Sequence, residues 1–258
     1  MLSIDNLKAL REAYSLTGGS GPEAVLRRIG DPTEQAIVAS AVERMPHSDR
    51  NVRVLALRVL AYQRGARAMR GVLAGLNDEK RRVCAVAIQA CPNYLAHEEI
   101  VARLEAIARE AGLKRKLRRR ALSMLAGDEG RLCGDLTPAV AAALERLMTE
   151  PEYRFALLFG LVRLDLHPRV EMILESFATS AETGERQMAR RAQAGERVIH
   201  IDGYSADETL QRWIMENCDR AHGRMYYWLP RAGDSQRRPY GLSRSEQRDA
   251  GDERSHAI

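Results

Sequence analysis

Seven consecutive residues, Lys114-Arg115-Lys116-Leu117-Arg118-Arg119-Arg120, carry six cations around one leucine. Guanidinium and ammonium groups at that density suit phosphate or carboxylate, which accept charge-assisted hydrogen bonds from them. The run opens a predicted helix, because Ala121, Leu122, Met124 and Leu125 follow with no Gly or Pro before Gly127. Cations at a helix start oppose the macrodipole by roughly 0.3–1 kcal/mol each. The run is therefore either a solvated face or a site for something negative. On a helical wheel Leu113, Ala121 and Met124 share the side of Leu117, Arg115, Lys116 and Arg119 lie opposite, and Arg118 and Arg120 flank them.

Other chemistry is sparse. The six histidines (His47, His97, His167, His200, His222 and His256) are dispersed, and Cys84, Cys91, Cys133 and Cys218 form no C-x-x-C pair. Cys84 and Cys91 stand seven apart on one predicted helix and read as small core residues. No Gly-rich phosphate loop, Ser-His-Asp order or Cys-His nucleophile pairing occurs. No catalytic residue, metal ligand set or cofactor is expected. Trp213, Tyr226, Tyr227 and Trp228 gather much of the aromatic content. They read as a capping core, or else as a stacking platform or protein-binding anchor beside Arg220 and Arg224.

The elements that must position these residues are helices. The 258 residues are rich in Ala, Leu, Val and Arg, with 5% aromatics, a mix that favours helix over strand. The net charge of +5 and pI near 9.2 permit acidic or nucleic-acid partners without requiring them. The N-terminus has charges throughout and no apolar run, and no segment has the roughly 18 apolar residues of a membrane span. A reduced, cytoplasmic setting is the expectation.

In chain order, Ser3–Leu16 reads as a helix capped by Ser3, Thr17–Pro22 as a break, and Pro22–Ile29 as a short helix. Asp31-Pro32 signals the next start. A pattern then recurs. Asp49-Arg50-Asn51-Val52-Arg53 through Leu60 is matched by Asp78-Glu79-Lys80-Arg81-Arg82 through Ile88, and more loosely by 114–125 and 150–161. Anchoring on arginine aligns Arg53, Arg82, Arg118 and Arg154, with Ala56, Ala85, Ala121 and Leu157 three residues on. Helices of similar length are expected between them at 66–76, 97–111, 136–148 and 168–178, with Gly65, Gly75, Gly112 and Gly127 as stops and Pro138, Pro151 and Pro168 as starts. Beyond Ala181 the periodicity fades. Glu185–Ala194 is a further helical stretch, Val198–Gly203 an extended one, and Ser205 to about Arg220 a helix. Residues 232–258 are polar and read as a flexible tail.

Two short helices repeated every 30–40 residues indicate an α-solenoid. The D-x-x-V-R-x-x-A-L wording resembles the HEAT repeat family over roughly residues 31–180. That resemblance implies an all-α, right-handed solenoid of helix pairs. It divides the chain into N-terminal capping helices 1–30, repeats 31–195, an aromatic cap 196–231 and the tail. It also implies an Asp–Arg ladder between repeats, with Asp49, Asp78, Arg53, Arg82, Arg118 and Arg154 in the ladder places and Lys114 and Glu150 at the other two Asp places. The second helices of that family line a concave surface, so Arg50, Lys80, Arg81, Arg115, Lys116, Arg119 and Arg120 form a basic stripe. At Arg119 and Arg120 the other copies have Val54 and Leu55, Val83 and Cys84, Phe155 and Ala156.

The expected function is a non-enzymatic scaffold or adaptor for a protein partner, an acidic one among the candidates, bound along the solenoid surface or through the tail. The alternative is nucleic-acid binding by the stripe, where about six neutralised phosphates give a salt dependence on the order of a thousandfold. An enzyme is the weaker alternative. His97-Glu98-Glu99 resembles the His-Glu pairs of metal-binding HEAT-like hydroxylases, yet occurs once where that family repeats it. HEAT-like DNA glycosylases use tryptophans on the concave face, whereas Trp213 and Trp228 lie outside the clear repeats.

Overall fold

Each strongly periodic stretch forms a helix whose apolar stripe is buried, and the described part of the chain is all-α apart from one short strand pair. The computed structural model describes residues 2–15, 25–27, 29–126, 137–161, 168–194, 213, 218–221 and 224–227. The expected break at 17–22, the extended segment at 198–203, Trp228 and the tail 232–258 lie outside the described residues. The helices are α1 (Ile4–Ser15), α2 (Glu34–Val42), α3 (Arg50–Leu60), α4 (Ala66–Leu76), α5 (Arg81–Ala90), α6 (Glu98–Arg109), α7 (Arg115–Ala126), α8 (Pro138–Met148), α9 (Pro151–Leu161), α10 (Pro168–Ala178) and α11 (Thr183–Gln193). A 3-10 turn, Cys91–Tyr94, follows α5 directly, so Cys84 and Cys91 are both buried but only Cys84 is in the α-helix.

Local chemistry sets the helix starts. Ser3 Oγ accepts from the Asn6 amide at 3.1 Å, Thr33 Oγ1 from Ala36 at 3.2 Å, Asp49 Oδ1 from Asn51 at 2.8 Å and Thr137 Oγ1 from Val140 at 3.3 Å. Thr33, rather than Asp31, caps α2; Asp31 itself has φ +44° beside Gly30 at φ +88°. Gly75, expected as a stop, is buried inside α4, where an added Cβ would lie 2.7 Å from Leu57 Cδ2 and 3.0 Å from Ala87 Cβ. The missing side chain lets α4 approach α3 and α5.

Helix contacts follow a regular order. α1, α3, α5, α7, α9 and α11 touch in succession, and α2, α4, α6 and α8 do likewise. Each helix of the second set also packs on a member of the first that is next to it in sequence. One apolar core runs through the described helices. Trp213 is helical, yet Cys218–Ala221 (β1) pairs antiparallel with Arg224–Tyr227 (β2), so the helix expected up to about Arg220 stops earlier. The aromatic pair Tyr226-Tyr227 favours extended backbone, and β2 packs on α9.

A single position recurs along the first set. The fourth residue of α3, α5, α7, α9 and α11 is Arg53, Cys84, Arg118, Arg154 and Arg186, and each donates to a carbonyl at the end of the preceding helix or in the turn that follows it. Arg53 Nη1 reaches His47 O at 2.6 Å, Cys84 Sγ reaches Leu76 O at 3.5 Å, and Arg118 Nε reaches Ala108 O at 2.8 Å. Arg154 Nη1 reaches Met148 O at 3.2 Å and Arg186 Nη1 reaches Ser180 O at 2.6 Å. Carbonyls at helix ends lack intrahelical donors, and cations there suit the dipole. The seventh residues, Ala56, Ala87, Ala121, Leu157 and Ala189, are all fully buried.

This register corrects the sequence alignment at one repeat. α3 begins directly after Asp49, whereas α5 begins three residues after Asp78, so the ladder place falls on Cys84 and not on Arg82, which is exposed. The Asp78 carboxylate nonetheless takes Arg53 on both oxygens, at 2.6 and 3.2 Å, and caps the Lys80 amide at 2.8 Å. Arg154 takes Glu185 at 2.5 Å. Arg118, 1% exposed, reaches the Tyr153 hydroxyl at 3.3 Å. Burial pushes the Tyr153 hydroxyl up to about 12. Asp49 serves its own helix as a cap. Glu150 pairs with Arg109 at 2.6 Å instead of with a ladder arginine.

Two predictions follow from these ion pairs. Asp78→Ala leaves the Arg53 guanidinium, 10% exposed, without its carboxylate and is expected to cost about 3 kcal/mol; urea unfolding measures it, and a loss under about 0.5 kcal/mol contradicts the pairing. Glu105 bonds Arg109 and, at 2.6 Å, Arg146. Burial raises its pKa most, but the hydrogen bonds from Arg146 and Arg109 and their charges together outweigh burial and leave it lowered. A lowered folded value means stabilisation above the unfolded value near 4.3, lost as pH falls through the folded one. Wild type should therefore lose more stability than Glu105→Gln between about pH 5 and pH 3, and equal losses contradict it.

Candidate basic interface

The second, fifth, sixth and ninth residues of α5 and α7 are not fully buried, although Ala85 and Val86 pack at the edge of the core. On α5 these are Arg82, Ala85, Val86 and Gln89, and on α7 Lys116, Arg119, Arg120 and Ser123; all are exposed or half-buried. α5 and α7 pack side by side, and the same four helix positions are open on both. The helix wheel explains it: Arg118 bonds inward, which turns Lys116, Arg119 and Arg120 outward.

Ala85 and Val86 give the face a half-buried apolar floor, bordered by Arg82 on one helix and by Lys116, Arg119 and Arg120 on the other. Among the described residues no ion pair or side-chain hydrogen bond engages Arg82, Lys116 or Arg120, while Arg119 has a contact of its own. The Asp78 carboxylate, near the start of α5, is committed to Arg53.

Other members of the expected stripe sit elsewhere. Arg50, Arg81 and Arg115 are the first residues of their helices and Lys80 precedes α5, so they mark the N-terminal edge of the row. Lys80 Nζ pairs with Glu79 at 3.3 Å. The counterparts of Arg119 and Arg120 on α5 are Ala85 and Val86, two residues on from the pair the sequence alignment placed there. Arg82, assigned to the ladder by the sequence alignment, is the second residue of α5 and exposed, because the longer turn after Asp78 shifts the frame.

On α9 the same face is closed. Phe155, Ala156 and Phe159 are buried, and the Trp213 ring meets Phe155 edge-on at 5.1 Å between centroids. Trp213 also fills the space over Gly184, the second residue of α11, where an added Cβ would lie 2.1 Å from Trp213 Cδ2. Trp213 is thus a packing residue, 8% exposed. Tyr226 and Tyr227 lie on β2, opposite Asp219 and Cys218.

Comparison with known protein families, curated proteins and solved structures finds no match.

Elsewhere, Tyr14 and Tyr62 stack at 5.0 Å beside a cleft also lined by Glu34, Ile37, Gln63 and Arg64, with no His, Cys or Ser among the described residues that line it. Among the described residues no group of three or more His, Cys, Asp or Glu is placed to hold a metal, and no helix is long and apolar enough to cross a membrane. His97 lies just before α6 with Glu98 and Glu99 in its first turn. Burial pushes the thiols of Cys84, to about 11, and of Cys91 upward, so both stay protonated at neutral pH.

The Trp213 contact gives a prediction. In a Trp228→Phe background, Gly184→Ala should expel the Trp213 ring, red-shift its fluorescence and cost about 1–3 kcal/mol. Unchanged emission and stability contradict the packing.

Proposed function

We propose that the chain is an α-solenoid of HEAT-like helix pairs acting as a non-enzymatic scaffold, and that it binds an acidic protein segment on the open face of α5 and α7. The alternating helix contacts and the recurrent fourth-residue donor support the repeat reading. The binding reading rests on one observation: Arg82, Lys116, Arg119 and Arg120 border the half-buried Ala85 and Val86 on a face that α9 offers to the chain's own C-terminal part. Apolar floors flanked by cations suit a peptide with small apolar residues between carboxylates, since charge complementarity steers and orients it. Arginine forks match carboxylates two oxygens at a time.

Nucleic acid is the competing reading, favoured by the spread of cations over neighbouring helices. The described face on α5 and α7 carries no Tyr, Trp or Phe, which removes the stacking platform that single strands use. Phosphate contacts alone would give binding with little base discrimination.

Fluorescence anisotropy separates the readings, with a labelled Glu/Ala peptide, a DNA duplex and a single strand as probes at low and about 200 mM salt. The peptide is expected to bind in a salt-dependent way, and Arg82/Lys116/Arg119/Arg120→Glu to weaken it by more than about tenfold. Duplex binding much tighter than peptide binding, lost in the same variant, replaces this reading by the nucleic-acid one. Failure to bind any probe removes both.

A further inference from the structure

The cleft beside Tyr14 and Tyr62 has a volume of about 390 Å³, within the roughly 300–1,000 Å³ of small-molecule sites. Its walls come from the end of α1, from residues 26 and 32 ahead of α2, from the first turn of α2 and from the turn after α3. α1 and α2 both pack on α3, so the core itself brings these pieces together. Leu26, Pro32 and Ile37 supply apolar surface. The Tyr62 ring adds to it, stacked on Tyr14 on one side and 50% exposed overall.

Polar groups on the same walls are held in place yet incompletely partnered. Gln63 is 4% exposed, its backbone carbonyl accepts from the Tyr94 hydroxyl at 2.8 Å, and its Nε2 donates to the Tyr14 hydroxyl at 3.3 Å. Among the described residues no donor reaches its Oε1, which leaves a nearly buried acceptor in the lining. A buried acceptor without a donor is costly. Glu34 and Arg64 are exposed and line the cleft too, and neither enters an ion pair or side-chain hydrogen bond among the described residues. Thr33 caps α2, so its start does not use the Glu34 carboxylate as a cap. One negative and one positive charge thus stand on a single cleft without pairing to each other.

We infer that this cleft binds a free aromatic α-amino acid, with its ammonium toward Glu34 and Gln63 Oε1, its carboxylate toward Arg64 and its ring on Tyr62. The zwitterion supplies what each group lacks. An ammonium has three donors, which suit the Glu34 carboxylate, the Gln63 carbonyl oxygen and a tyrosine hydroxyl. A carboxylate suits the planar fork of Arg64. The ring packs offset or edge-on against Tyr62 and rests on Leu26 and Ile37. A simple anion would meet the like charge of Glu34, and a simple cation that of Arg64. An uncharged apolar ligand would leave Gln63 Oε1 without a donor. With no His, Cys or Ser among the described lining residues, the cleft recognises its ligand and offers no nucleophile of those kinds to it. None of those residues belongs to α5 or α7, so the site stands apart from the basic face.

Isothermal titration of the full chain tests the site with three probes. These are L-tryptophan, L-tryptophanamide, which lacks the carboxylate, and N-acetyl-L-tryptophan, which lacks the ammonium. L-tryptophan is expected to bind, and each derivative to bind at least about tenfold more weakly. Glu34→Gln should weaken L-tryptophan and the amide about tenfold and leave the N-acetyl derivative unchanged. Arg64→Gln should weaken L-tryptophan and the N-acetyl derivative and leave the amide unchanged. Both residues are exposed, so neither substitution disturbs the core. Lys116/Arg120→Glu should leave all three affinities as they are, which keeps this test separate from that of the basic face. No saturation by L-tryptophan at about 10 mM refutes the site. So does 3-methylindole binding as tightly as L-tryptophan, because the charges then play no part. Losses in Glu34→Gln and Arg64→Gln that are equal for all three probes overturn the assignment of ammonium to Glu34 and carboxylate to Arg64.

Discussion

The arrangement depends on one repeated contact, a donor at the fourth position of alternate helices reaching a carbonyl at the end of the helix before or in the turn after it. A helix end that turns back on itself leaves several carbonyls without partners, and burying them unpaired costs about 1–3 kcal/mol each. Arg53, Arg118, Arg154 and Arg186 meet that need with guanidinium groups, and Cys84 meets it weakly with a thiol. The other guanidinium nitrogens then reach across to the next unit: Arg53 to Asp78, Arg118 to Tyr153 and Arg154 to Glu185. One side chain thus fixes a turn and joins successive helices of the first set.

With the fourth residue fixed inward, the second, fifth, sixth and ninth residues fall on another side of each helix, where the fifth and sixth are buried on α3 and α9 and partly open on α5 and α7. The chain uses this side differently at each helix. α9 places Phe155 and Phe159 there and covers them with Trp213, α5 places Ala85 and Val86, and α7 places Arg119 and Arg120. Among the described residues Arg82, Lys116 and Arg120 enter no ion pair or side-chain hydrogen bond that the fold uses. That separation between what holds the helices and what lies open on them is why the charged face reads as a surface for a partner.

Most helix boundaries were legible: Gly65 precedes α4 and Pro168 opens α10, and both helices keep their expected bounds to the residue. The ladder arginines at 53, 118 and 154 were legible from their spacing. Cys84 was not, since two extra residues in the turn after Asp78 shift the frame while the sequence still offers a tempting Arg82. Arg186 escaped because α11 is mostly polar, with Met188, Ala189 and Ala192 as its few apolar residues. Partners such as Glu105 and Arg146 meet only through the packing of α6 on α8, which no local pattern encodes. The basic run itself was legible. Its division into a buried Arg118 and an outward Lys116, Arg119 and Arg120 followed once Arg118 was placed against Ala108.

Amide hydrogen exchange of Arg118→Met against wild type tests the central claim most directly. The substitution keeps an unbranched side chain but leaves Ala108 O and the Tyr153 hydroxyl without their donor. The account predicts lost protection at the end of α6, through α7 and at the start of α9, with α3 and α4 unchanged. Unaltered exchange in α6, α7 and α9 would show that the fourth-position donor does not hold the repeats together.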